Sequence, residues 1–286
     1  MATTATKSAK DQKSDVILNY LRPRKKFPSV WCAGCGNGIV MSAIIRAVDR
    51  LGYDRNDIVM VSGIGCSSRM PVYLDFSALH TTHGRALAYA TGVKFAKPHL
   101  KVIVVTGDGD ALAIGGNHFI HACRRNIDLT VILLNNYIYG MTGGQGSPTT
   151  PAQAFSTTTP YGNVEKHFEP CDLAIAAGAT FVGRSTVQHA PQLEKLIMEA
   201  LEHRGMSVVE AMSNCHTYFG RLNRQGDAVR MIKWFRDNSV TVVKAKSMDR
   251  EELKGKWIIG KLHEDNEKTE FCDEYEKVVA AHLGEK

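Results

Sequence analysis

"KVIVVTGDGDALAIGGNHFIHACRRNIDLTVILLNNYIYG" occupies residues 101–140. Two apolar runs within it, "VIVV" (102–105) and "TVILL" (130–134), are of strand length. Neither alternates with polar residues, which marks strands buried on both faces of a sheet. The segment 111–124 between them has the length of one helix, and each run ends in Gly, Asp or Asn. Strand, helix and strand in this order form a parallel crossover, with polar loops collected at one edge of the sheet.

The same alternation extends outward from this unit. "GIVMSAIIRAVDRL" (38–51) places Ile39, Val40, Ala43, Ile44, Ala47, Val48 and Leu51 at helical spacing, and Gly52 stops it. "DIVMVSGIG" (57–65) reads as a buried strand entering a glycine loop, and 84–97 as a helix ended by Pro98. Helix, strand, helix and strand recur over 172–179, 180–183, 191–205 and 206–212. The fold class is therefore α/β: a mostly parallel sheet with helices on both faces.

Ligands in such sheets bind beyond the carboxyl ends of the strands, which singles out the loops after 61, 106, 134 and 212. Residues 1–27 read as an N-terminal tail, 28–215 as the domain, and 216–286, where periodicity weakens, as an arm packing on the domain or on a partner. The loop 137–163 is rich in Gly, Ser, Thr and Pro and too long for an idle connection.

Composition excludes several classes. In 286 residues, 44% are hydrophobic and 22% charged, as in ordinary globular chains. No apolar run approaches the roughly 20 residues of a membrane span. "MATTATKSAKDQKSD" (1–15) lacks the apolar centre of a secretory signal, so the expected location is the cytoplasm. The net charge of +6 comes without a nucleic-acid-binding module, and suits an anionic cofactor, an anionic substrate or an acidic partner. Seven cysteines in such a chain favour metal binding or catalysis over a disulfide framework.

Asn136 follows Asp108 by 28 positions, and on neighbouring strands the two would emerge side by side. A carboxylate, a side-chain amide oxygen and the Ile138 carbonyl would supply half of a Mg²⁺ shell, with diphosphate and water completing it. Gly107 and Gly109 allow close approach of backbone to phosphate, and the following helix aims its amides at the anion. In "GIGCSSRM" (63–70), Gly65, Ser67 and Ser68 offer amides and hydroxyls to a cofactor, and Cys66 adds a thiol. Cys32 and Cys35 of "WCAGCGNG" (31–38), Cys66 and Cys215 all fall in loops able to meet at one sheet edge. Four thiolates suit a [4Fe-4S] cluster or structural zinc.

"GDGDALAIGG" (107–116) with "NNYIYGMTGGQ" (135–145) resembles the thiamine diphosphate motif. More closely, residues 28–220 resemble the beta subunits of the 2-oxoacid:ferredoxin oxidoreductases, above all the 2-oxoglutarate type. The resemblance implies thiamine diphosphate, Mg²⁺ on Asp108, Asn136 and Ile138, and a [4Fe-4S] cluster on Cys32, Cys35, Cys66 and Cys215. It places cofactor contacts on Ile64, Gly65, Cys66, Ser67, Ser68, His83, Gly107, Asp108, Gly109, Asp110, Gly140, Met141 and Thr142. His83 and Arg69 would be catalytic, Arg69 standing where the family often has lysine.

The implied reaction is reversible oxidative decarboxylation of 2-oxoglutarate to succinyl-CoA and CO₂, with electrons passing to ferredoxin. Pyruvate or broad 2-oxoacid specificity is the near alternative. A non-redox thiamine decarboxylase or carboligase, and a zinc-stabilised non-catalytic subunit, are the distant ones. The glutamate that activates thiamine in the family would come from an alpha subunit in an αβ or (αβ)₂ assembly, meeting the loop 141–150.

Overall fold

The computed structural model describes residues 16–24 and 27–283. The tail expected over 1–15 lies outside the described residues, as do 25–26 and 284–286. Among the described residues, no helix is long and apolar enough to cross a membrane.

Strands β1 (Ile58–Ser62), β2 (Ser77–His80), β3 (Lys101–Gly107), β4 (Thr130–Asn135), β7 (Phe181–Thr186) and β8 (Ser207–Met212) form a parallel sheet in the order β2-β1-β3-β4-β8-β7. β5 (Ile138–Tyr139) and β6 (Gln145–Gly146) make a separate small hairpin. Leaving β1, the chain goes to β2 on one side and returns to β3 on the other, so direction reverses between β1 and β3. A crevice opens where strand order reverses in this way. Because β1, β3, β4 and β8 are neighbours, the four loops singled out by sequence emerge in one row.

The two-sided burial of β4 is literal. Val131 and Leu133 point into one apolar cluster, and Ile132 and Leu134 into the other. With Ile132 and Leu134 lie α1 (Asn37–Leu51) and α5 (Ala190–Glu202); with Val131 and Leu133 lie α2 (Ala86–Ala96), α3 (Gly116–Arg125) and α4 (Pro170–Ala177). Val40, Ala43, Ile44, Ala47 and Val48 of α1 are all buried, and Gly52 in the left-handed region (φ 67°) ends the helix. Each fully buried aliphatic side chain of this kind contributes about 1.5–3 kcal/mol.

Three features differ from the sequence reading. Residues 16–24 were assigned to the tail, yet Tyr20 and Leu21 are buried, with Tyr20 packed edge-on against Phe76 and Leu21 bridging Leu74. The helix expected over 111–124 is split into a π-turn, Asp110–Ile114, followed by α3. Gly115 permits the join, since a Cβ there would strike the Asp110 carbonyl; wide turns of this kind concentrate at functional sites.

The third difference lies in the C-terminal segment, which enters the sheet. β10 (Trp257–Glu264) pairs antiparallel with β7 and carries β9 (Ser239–Thr241) beyond it. α6 (Ala228–Asp237) precedes these strands and α7 (Phe271–Leu283) follows them. Arg204 joins Asp128 in the domain to Glu270 and Asp273 in this segment.

Candidate active site

The loops after β1, β3 and β4 enclose a cavity of about 190 Å³. Ile64, Gly65, Cys66, Ser67, His83, Gly107, Asp108, Gly109, Asp110, Asn136, Ile138, Gly140, Met141 and Thr142, all named by sequence, line it. Ser68 and Arg69 do not. Ser68 is fully buried behind the wall, where its carbonyl accepts from Ser62 Oγ.

Asp108 sits at the cavity floor, 3% exposed. Burial pushes its carboxyl up to about 6, against the pull of hydrogen bonds from Ser147 and Thr149. Those hydroxyls lie 2.5 and 2.6 Å from the same oxygen, Oδ2. Asn136 Oδ1 accepts from the Ile138 amide at 3.2 Å, which places the two predicted Mg²⁺ ligands of β4's loop in one turn. A carboxylate, an amide oxygen and a carbonyl around one cavity fit the oxygen preference of Mg²⁺. Gly109 is pressed under the Tyr139 ring, whose hydroxyl donates to the Gly109 carbonyl at 3.1 Å, so the glycine expected there is required sterically.

Asp110 does something sequence did not show. Its Oδ1 accepts from the amides of Ile64 at 3.2 Å and Gly84 at 2.7 Å, and from His83 Nδ1 at 2.7 Å. Thr106 donates to its Oδ2 at 2.8 Å. One buried carboxylate thus ties three loops together. Its contact with His83 Nδ1 also fixes the orientation of that ring.

A second cavity of about 70 Å³ adjoins the first, lined by Cys32, Cys35, Cys66 and Cys215 together with Trp31, Asn214, His216 and Tyr218. The four cysteines collected from three separate loops therefore do meet. Burial pushes the Cys35 thiol up to about 12 and Cys66 up to about 11, with charge on the neighbouring sulfurs adding to both. A metal centre binding here must displace thiol protons. A Cβ on Gly140 would stand 3.5 Å from the sulfurs of both Cys66 and Cys215. The glycine keeps the space between them clear.

The two cavities share one wall made of Cys66, Asn136, Gly140 and Met141. Behind the first cavity lies a network that sequence reasoning missed. Asn135 Nδ2 donates to Glu210 at 2.8 Å, and Glu210 accepts from Arg184 Nε at 2.6 Å. Arg184 also reaches Glu169 at 2.8 Å. The one available signal was a glutamate in the middle of the apolar strand "SVVEAM" (207–212). Ser147 and Thr149 gave none, since their loop is polar throughout.

Comparison with known proteins accords with this geometry. Residues 63–211, over half the chain, match the family described as thiamine pyrophosphate enzyme, C-terminal TPP binding domain. The fold is that of a thiamine diphosphate enzyme. The 2-oxoglutarate synthase subunit KorB of Methanocaldococcus jannaschii is 52% identical over 262 residues, spanning 92% of this chain and 96% of its own length. Its namesake in Methanothermobacter marburgensis is 53% identical over 261 residues, 91% of each chain. A solved 2-oxoglutarate:ferredoxin oxidoreductase from Magnetococcus marinus, with 2-oxoglutarate, coenzyme A and succinyl-CoA bound, superposes with a TM-score of 0.83 at 33% identity, over 94% of this chain and 91% of that one. This chain belongs to the beta subunits of the 2-oxoacid:ferredoxin oxidoreductases.

Proposed function

We propose that this subunit holds the diphosphate end of thiamine diphosphate and an adjoining [4Fe-4S] cluster in an enzyme that oxidatively and reversibly decarboxylates 2-oxoglutarate. The products are succinyl-CoA and CO₂, and ferredoxin is the electron acceptor. The observation that carries this reading is the wall common to both cavities, Cys66, Asn136, Gly140 and Met141. It sets the cavity of Asp108 and Asn136 beside the one bordered by four cysteines, an adjacency that a non-redox thiamine enzyme does not need.

Asp108, Asn136 and the Ile138 carbonyl would hold Mg²⁺, with the amides around Gly65 and Gly109 facing the diphosphate. When bound, thiamine diphosphate supplies the carbon nucleophile and electron sink for decarboxylation, and an iron–sulfur cluster accepts electrons singly. His83, fixed by Asp110, presents a ring nitrogen at the wall. Met141 and Thr142 stand at the mouth, where the loop 141–150 would meet an alpha subunit supplying the glutamate. Four cysteines drawn from three separate loops around one cavity match the ligand set of a [4Fe-4S] core. The role of Arg69 rests on the resemblance, that of Ser68 on its hydroxyl in the loop after β1, and the cytoplasmic location on the composition of residues 1–15.

The test is anaerobic co-purification with the partner subunit, iron analysis, and viologen reduction with 2-oxoglutarate against pyruvate. About four irons per beta subunit are expected, with faster reduction on 2-oxoglutarate. Iron-free protein refutes the electron-transfer role, and preference for pyruvate refutes the substrate.

A further inference from the structure

The loop that carries Cys215 runs directly into a cationic surface. Arg221, Arg224, Arg230, Lys233 and Arg236 are all exposed, and the same stretch, 221–238, holds two acids, Asp227 and Asp237. Asp227 caps α6, accepting from the Arg230 amide at 2.8 Å, and Asp237 accepts from Arg236 Nε at 2.9 Å. The stretch carries a net charge of +3, half of the whole chain's +6.

α6 buries Met231 and Phe235 and turns the rest outward. Val229, Lys233 and Arg236 follow one another at i, i+4 and i+7, with Arg230 and Trp234 in the next row. Val229 is 59% and Trp234 39% exposed. A charged helix face is ordinarily just solvated. An exposed tryptophan and valine on the same helix as Arg230, Lys233 and Arg236 have instead the composition of a binding surface.

Its position gives that surface a partner. Ala228 packs against Gly34 of the Cys32–Cys35 loop, where a Cβ would stand 2.7 Å from Ala228 Cβ. The Arg221 guanidinium lies 5.6 Å from the centre of the Tyr218 ring, and Tyr218 lines the four-thiol cavity. Val30, 58% exposed, and Cys32, also exposed, complete the rim. The cavity is thus open on the side that carries the positive charge.

We propose that α6, with Arg221 and Arg224, is the docking face for a small acidic one-electron carrier protein, bringing it to the open side of the Cys32, Cys35, Cys66 and Cys215 cavity. This rests on the oxidoreductase reading. Oxidation of one 2-oxoacid with coenzyme A yields acyl-CoA, CO₂, one proton and two electrons, so two oxidised carriers are each reduced by one electron per turnover. A face used twice per cycle must capture quickly and release easily. Charge steering does both, and it weakens with salt.

The experiment uses the complex co-purified with its partner subunit and the triple variant Arg221→Glu, Arg230→Glu, Lys233→Glu. Affinity for an acidic [4Fe-4S] ferredoxin is measured by calorimetry from 20 to 300 mM salt, beside steady-state KM for that ferredoxin and viologen reduction. We expect at least a tenfold rise in Kd and KM at low salt, a flattened salt dependence, and viologen reduction within twofold of wild type. Wild-type viologen rates with ferredoxin binding indifferent to the three reversals refute the docking face alone. A triple variant that no longer assembles with the partner subunit assigns the face to that subunit and refutes it too. Wild-type complex unable to reduce viologen refutes the oxidoreductase reading, and this proposal with it.

Discussion

Oγ1 of Thr149 lies 2.6 Å from Oδ2 of Asp108 and 2.9 Å from Oδ1 of Asn135. A hydroxyl has one hydrogen, so it donates to one of these acceptors at a time, and the ionised carboxylate is the stronger. Asn135 is itself anchored to fully buried Glu210, which Arg184 neutralises. Thr149 thus stands between the predicted metal carboxylate and an ion pair in the sheet. Thr149→Val removes the donor while keeping shape. It should weaken Mg²⁺-dependent binding of thiamine diphosphate by about 1–2 kcal/mol, roughly five- to thirtyfold. Thr149→Ser should restore most of it in the same calorimetric titration.

The raised Asp108 carboxyl has a definite sign in pH. Its folded value of about 6 lies above the ordinary 3.8, so between those values the folded chain binds the extra proton. Stability of the metal-free protein from this group therefore falls as pH rises from about 4 to about 6 and is flat above, for a total of about 3 kcal/mol. Subtracting the pH profile of Asp108→Asn isolates the group. A bound cation needs the ionised form, so Mg²⁺ affinity should drop about tenfold per pH unit below about 6. A difference profile rising with pH in metal-free protein would contradict the assignment.

Much of this site could be read from sequence because its pieces are local. "GDGD" and "NNYI" each follow an apolar strand, and strand ends fix where loops emerge. Cys66 and Cys215 follow β1 and β8 by the same logic, whereas Cys32 and Cys35 precede α1 and reach the same cavity only through the fold. What escaped depends on contacts distant in sequence. Asp110 looks like a phosphate-side residue, yet it serves the amides of Ile64 and Gly84, which only the fold brings near. β10 was missed because "WIIGKLHE" is a half-exposed strand with a glycine inside, and β2 because "SALH" is four residues long and mostly exposed. Neither carries the continuous apolar run of a central strand.

Gly140 offers a way to separate folding from cluster loading. An alanine Cβ there would meet the sulfurs of Cys66 and Cys215 at ordinary contact distance, 3.5 Å each, so the metal-free chain should tolerate it. With an inorganic core between those sulfurs, the same methyl group competes for space. Gly140→Ala is expected to change thermal stability of metal-free protein by less than about 1 kcal/mol, as for a substitution without a named defect. Iron content after anaerobic reconstitution should fall by at least half. Full iron loading would show that the space between the two sulfurs stays empty.

Two glycines with opposite surroundings test the role of Asp110. A Cβ on Gly63 would fall within the Asp110 carboxylate, whereas on Gly92, exposed in α2, it would meet nothing within 4 Å. Gly92→Ala therefore only removes unfolded-state freedom and should stabilise by about 0.5–1 kcal/mol. Gly63→Ala must push the carboxylate away from Ile64, His83 and Gly84 together. Leaving buried donors unpaired costs about 1–3 kcal/mol each, so net destabilisation of about 2–4 kcal/mol is expected by urea unfolding. Because Asp110 also fixes His83, Gly63→Ala should lower affinity for thiamine diphosphate even at temperatures where it is fully folded. Gly92→Ala should leave that affinity unchanged. Equal cofactor binding by folded Gly63→Ala and wild type would mean that Asp110 holds the loops for stability alone.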